Sequence, residues 1–98
     1  MKITVRNSAG IANKYVRLLK WKLYRLQRRF SDLHYADLFV KKEGSRHSIY
    51  EVVLRLGIPG QDIILKHQST SPARLMAKTH KDARRYLARR SKSYRTNI

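Results

Sequence analysis

Residues 36–65 read ADLFVKKEGSRHSIYEVVLRLGIPGQDIIL, and this stretch decides the fold. Ala36, Leu38 and Val40 fall at every second position, as do Tyr50, Val52, Leu54 and Leu56, and then Ile63 and Leu65. A period of two is the mark of a strand with one buried face. Lys42-Glu43-Gly44-Ser45-Arg46 and Gly57-Ile58-Pro59-Gly60 interrupt the runs where hairpin turns belong. Matching the apolar faces pairs Val40 with Tyr50, Leu38 with Val52 and Leu54 with Leu65, which predicts a three-stranded antiparallel meander. In that register Asp37 faces Val53 and Glu51 faces Phe39, all on the other side of the sheet.

The flanks have a different period. Before the meander, Met1-Lys2-Ile3-Thr4-Val5-Arg6 alternates and reads as a short strand, and Asn7-Ser8-Ala9-Gly10 as a turn. From about Asn13 to Phe30 there is no Gly or Pro, and Tyr15, Leu19, Leu23, Leu26 and Phe30 are spaced to share one face of a helix. After the meander, Ser71 is a side-chain cap and Pro72 the first residue of a second helix. Its expected apolar face is Ala73, Met76, His80, Ala83 and Leu87, thin enough to lie close to the sheet. The order is β-α-β-β-β-α: an α+β fold, a four-stranded sheet with two helices on one face. One domain is expected over residues 1–90, followed by a frayed basic tail over 91–98.

The 98-residue chain has 23 Lys and Arg against 6 Asp and Glu, a net charge of +17. Residues 1–31 hold nine basic residues and no acid, residues 32–70 hold five of each sign, and residues 71–98 hold nine basic residues and Asp82. Both ends therefore carry the whole excess, and the meander is neutral. Self-repulsion on this scale is relieved by a polyanion, either nucleic acid or an anionic membrane surface. No apolar run approaches the roughly 18 residues that span a bilayer, and the start lacks a signal-peptide stretch, so a soluble cytoplasmic protein is expected. With no cysteine, disulfides, thiolate metal sites and thiol catalysis are excluded.

At 100° per residue, Lys14, Arg17, Trp21, Arg25 and Arg28 project opposite the apolar stripe of the first helix. On the second helix Arg74, Lys78, Lys81, Arg85, Arg89 and Lys92 lie opposite Met76 and Leu87. Two helices on one face of a sheet make these outward sides one cationic surface. A merely solvated helix face mixes both signs, and here Asp82 is the sole acid on either helix. Trp21 within that surface has two readings. It either packs sideways against the neighbouring helix under Arg and Lys stems, or offers its ring to an unpaired base or ribose.

Catalysis finds little support. Asp37 and Glu51 read as ordinary sheet-surface charges near Lys41, Arg55 and Lys66. His34, His47, His67 and His80 lack metal-ligand spacing, and no Gly-rich phosphate loop is present. No enzyme activity, cofactor, metal or small-molecule substrate is expected.

Several phrases, in order, resemble the ribosome hibernation-promoting factor family, also called ribosome-associated inhibitor A or sigma-54 modulation proteins. They are the opening Met1-Lys2-Ile3-Thr4-Val5-Arg6; Ile11 before a helix with Lys22-Leu23-Tyr24-Arg25-Leu26, similar to that family's K-L-x-K-L; Tyr50-Glu51-Val52-Val53-Leu54 with Gly60 and Ile63-Ile64-Leu65; and Ala83-Arg84-Arg85-Tyr86-Leu87-Ala88-Arg89 in the place of L-E-R-Q-L-x-K. The likeness covers nearly the whole chain and matches the short form of the family. Three departures stand out: Ser71-Pro72-Ala73 replaces Asp-Met-Tyr, Asp82 replaces a customary lysine, and Ala12 replaces a helix-capping threonine. The resemblance implies a fold like the double-stranded-RNA-binding domain and binding in the decoding channel of the small ribosomal subunit, against its ribosomal RNA. It further implies inhibition of translation in hibernation or stress by occluding messenger and transfer RNA. By motif position it points to Lys22, Arg25, Arg85 and Arg89, and the protein is expected to be monomeric off the ribosome.

Two other functions compete. One is binding of double-stranded or structured RNA away from the ribosome. The other is self-association through the outer sheet face, where Phe39, Ile49, Val53 and Ile64 make a semi-apolar patch. An RNA reader using Tyr35 and Phe39 on that same face is opposed by Asp37 and Glu51, which repel phosphate.

Overall fold

The computed structural model describes residues 1–44 and 48–96, with residues 91–96 described through their backbone alone. The elements follow the expected order: β1 (Lys2–Asn7), α1 (Asn13–Arg29), β2 (Tyr35–Glu43), β3 (Ile49–Gly57), β4 (Ile63–Ser69) and α2 (Pro72–Thr96). The sheet order is β1-β2-β3-β4, with β1 parallel to β2 and the other pairs antiparallel. The period-two residues Ala36, Leu38, Val40, Val52, Leu54, Leu56 and Leu65 are buried on one face and join Leu19, Leu23 and Leu26 of α1 and Leu75, Met76, Ala83 and Leu87 of α2 in a single core. Both helices therefore lie on the same side of the sheet.

The β3–β4 register is as expected, Leu54 opposite Leu65. Between β2 and β3 the expected register is wrong by two residues: Leu38 pairs with Leu54 and Val40 with Val52. A slip of two keeps every side chain on its own face, so the apolar pattern cannot detect it. Charge decides it. In the true register Asp37 faces Arg55, not Val53, and Glu51 faces Lys41, not Phe39, so opposite charges stand across the strands. The interval between the strands lies two residues later than the turn expected over 42–46, because β2 runs through Glu43 and β3 begins at Ile49, and Gly44 carries a φ of 88°. Ser45, Arg46 and His47 lie outside the described residues. Gly57 belongs to β3 and not to the following turn, paired with Tyr35.

Asn7 fixes the turn that leads into α1, although it caps no N–H of the helix itself. Its side-chain amide donates to the Ile11 carbonyl at 2.8 Å and its oxygen accepts from the Ile11 N–H at 3.2 Å, while Ala12 makes no side-chain cap. Val16 joins Leu19, Leu23 and Leu26 in the core, and Tyr15 is half-buried at its border. Ser71 caps α2 as expected, its hydroxyl accepting from the Arg74 N–H at 3.4 Å. The inner face of α2 differs from expectation: Ala73 is exposed and His80 half-buried, while Leu75 and Thr79 are buried. Thr79 escapes an apolar search because it is polar, yet its hydroxyl is satisfied by the Leu75 carbonyl at 2.7 Å. α2 also continues to Thr96, past the point where a frayed tail was expected. Residues 91–96 contain neither Gly nor Pro to stop it.

Candidate nucleic-acid interface

Topology sets the direction of the helices. β4 runs parallel to β1, and each is followed by a helix that returns across the same face, so α1 and α2 run side by side in one direction. The cavities between them agree: Lys22, Arg25, Leu26 and Arg29 of α1 share one with His80 and Arg84 of α2, and Arg29 shares the next with residues 81–89. Their charges therefore lie in two parallel rows.

The solvent side of α1 exposes Lys14, Arg17, Arg25 and Arg28, and that of α2 exposes Arg74, Lys78, Lys81, Arg85 and Arg89. The side chain of Lys92 lies outside the described residues. Lys22 is half-buried, turned toward α2. The one acid on these helices is half-buried and engaged: Asp82 pairs with the Nε2 of His67 on β4 at 2.8 Å, which ties α2 to the sheet edge. A departure from the lysine expected there thus has a structural use.

Trp21 does not pack beneath its neighbours. It is 55% exposed, with the Arg25 guanidinium 4.9 Å from its ring centre. Cation and ring together form an open platform of the kind on which a base stacks. Leu18 and Tyr24 flank it, also exposed.

The cleft between the helices was missed by the sequence reading. Its larger cavity, about 480 Å³, is lined by Arg29, Lys81, Arg84, Arg85, Ala88 and Arg89. The smaller, about 230 Å³, is lined by Lys22, Arg25, Leu26, Arg29, His80 and Arg84. Arg29, Arg84 and His80 are neither on the outward stripe nor in the core. Their signal was the parallel helix direction, which places Lys22, Arg25 and Arg29 alongside His80, Arg84 and Ala88 at successive turns. Burial, then the positive charges of Lys22, Arg84 and Arg25, hold the His80 imidazole below its ordinary pKa, so it is uncharged at neutral pH.

The opposite face of the sheet is chemically distinct. Glu51 is only 2% exposed there, bridged by Lys66 at 3.1 Å and Lys41 at 3.4 Å. Lys66 first, then Gln68 and Lys41, hold its carboxyl below the usual range despite burial that pushes it up. Asp62 accepts from the Tyr35 hydroxyl at 2.7 Å and from Arg55, and both lower its pKa, Tyr35 the more. These carboxylates are consumed by ion pairs and form no acid/base couple. Among the described residues no group of His, Asp or Glu is placed to hold a metal, and no helix is long and apolar enough to cross a membrane.

No protein-family model matches the sequence, and no curated protein matches it as a relative. Solved structures do match. A ribosomal subunit interface protein from Coxiella burnetii superposes with a TM-score of 0.79 at 15% identity, covering 94% of this chain and 99% of that one. The N-terminal domain of Thermus thermophilus Protein Y gives 0.57 at 17% identity, covering 87% of this chain and 94% of that one. At such low identity what is shared is the architecture, and the fold of this chain is that of the Coxiella ribosomal subunit interface protein.

Proposed function

We propose that this chain is a member of the ribosome hibernation-promoting factor family that binds the small ribosomal subunit and inhibits translation by occupying the decoding channel. The observation that carries the reading is the paired cationic helix surface, whose one acid is turned away to His67. Such a surface neutralises phosphates without reading sequence, which suits a plug held against folded ribosomal RNA. The Coxiella neighbour is a ribosomal subunit interface protein, and the fold shared over nearly the whole of both chains supports the choice of the ribosome over free RNA. Occlusion is steric: a protein seated where messenger and transfer RNA lie excludes them.

The outer sheet face gives self-association less support. Phe39 lies under the Arg6 guanidinium at 5.5 Å, and the Lys41–Glu51–Lys66 cluster interrupts the patch. Binding to purified small subunits tests the proposal. With six to ten phosphate contacts, affinity falls by roughly three to five decades between 50 and 200 mM salt. Arg25→Glu combined with Arg85→Glu abolishes binding with the circular dichroism spectrum unchanged. A flat salt response, or normal binding by the double variant, refutes the helix-surface contact.

A further inference from the structure

The solvent side of α1 holds more than cations. Leu18 is 47% exposed, Trp21 55% and Tyr24 45%, and steps of three residues line them up as a diagonal ridge about 9 Å long. Lys14 and Arg17 precede this ridge and Arg25 and Arg28 follow it, all four exposed, and residues 1–31 contain no acid. The solvent side of α2 is built differently. Arg74, Lys78, Lys81, Arg85 and Arg89 are exposed there with only the small Ala73 and Ala77 among them. Tyr86 is exposed too, but its spacing of four from Asp82 turns it to the flank of the helix.

A phosphate partner accounts for α2 and leaves the α1 ridge without a use. Leu18 has no charge to meet a phosphate and no ring to stack on a base, and in water it forfeits its burial. An aliphatic side chain and two amphipathic rings set among lysines and arginines match the boundary of an anionic bilayer instead. Trp and Tyr rings rest at headgroup level, Leu reaches the top of the acyl chains, and cations on long stems meet the lipid phosphates.

We propose that the solvent side of α1 docks on an anionic lipid bilayer, with Leu18, Trp21 and Tyr24 entering the interface and the cations of both helices held at the headgroups. Charge selects the lipid: a neutral bilayer offers the cations nothing, and three half-exposed apolar side chains are too few to anchor the chain alone. The side-by-side helices divide the task, α1 supplying insertion and charge and α2 charge only. Trp21 and Arg25 also belong to the proposed subunit contact, so a bilayer and a small subunit exclude one another on this face. The lipid contact itself does not depend on the ribosome.

Vesicles of phosphatidylcholine with roughly 30% phosphatidylglycerol, compared with phosphatidylcholine alone, test this on the full chain. Trp21 is the one tryptophan and reports directly. The expected result is binding to the mixed vesicles only, with Trp21 emission moved to shorter wavelength and quenched by lipid brominated near the top of its acyl chains. Leu18→Ser with Tyr24→Ser lowers partitioning at least about fivefold, with an unchanged thermal melt. Lys78→Gln with Lys81→Gln also weakens partitioning, by about fivefold per cation, yet leaves the emission shift intact at saturating lipid. Binding without the shift and the bromine quenching is adsorption by charge alone and overturns the proposal, as does undiminished partitioning of the ridge variant. Leu18→Ser alone is expected to keep full affinity for a single-stranded RNA of about ten nucleotides. A loss of RNA affinity as large as its loss of partitioning assigns the ridge to nucleic acid and likewise overturns the lipid contact.

Discussion

Trp21 is the residue at which two physical roles separate cleanly. Half of its surface is open to solvent and Arg25 covers part of one side, so its removal costs the folded state little. Trp21→Ala is expected to leave the thermal melt nearly unchanged and to weaken binding to small subunits by about 1–3 kcal/mol, the worth of one stacked base. A lowered melting temperature with intact binding contradicts the platform role. Gly57 makes the opposite case. The Tyr35 ring lies directly over it, and a Cβ there meets ring carbons at 2.0 to 2.5 Å. Tyr35 is also held by its hydrogen bond to Asp62, so the ring is not free to swing aside without losing that bond. Gly57→Ala is expected to destabilise the fold by about 1–3 kcal/mol in denaturant unfolding, an overpacking cost. The composition of the basic surface was legible in the sequence; the solvent exposure of Trp21 was not, since helical spacing gives a direction but not the distance to the neighbouring helix.

At the scale of elements, periodicity carried the assignment as far as its symmetry allows. Period two distinguishes the faces of β2 and β3 but is blind to a slip of two, and the true register is marked by Asp37 opposite Arg55 and Lys41 opposite Glu51. The inner face of α2 was blurred for a related reason: Thr79 is polar, Ala73 apolar, and their burial is the reverse of what those labels suggest. The cross-strand charges also set the acid stability of the sheet. Glu51 and Asp62 have folded pKa values below their ordinary ones, so each contributes stability that is present above the unfolded carboxylate pKa and lost as pH falls through the folded value. His80, also depressed when folded, loses its contribution earlier, as pH falls below its unfolded pKa of about 6.5. A denaturant series against pH in the free protein is expected to show a shallow decline through pH 6, removed by His80→Gln, then a steeper one below about pH 4, reduced by Glu51→Gln.

At the scale of the molecule, the neutral meander and the cationic flanks of the sequence become two faces. The described cations of the two helices are carried above a sheet whose far side balances its own charge in local pairs, Lys41 and Lys66 on Glu51 and Arg55 on Asp62. The distribution was readable from the sequence because charge and secondary structure change at the same boundaries. The cleft was not, because it depends on the relative direction of two helices that are more than forty residues apart in the chain and are aligned only by the sheet between them. A molecule so polarised has one side suited to a polyanion and one that is not, and the proposed occlusion of the decoding channel rests on the first. The most direct measurement is equilibrium binding of the full chain to purified small subunits at low salt, with the decoding channel empty and with messenger and transfer RNA preloaded. Occupancy of the channel predicts competition, with apparent affinity falling in proportion to the occupied fraction and recovering when the ligands are washed out. Equal affinity for empty and preloaded subunits contradicts it.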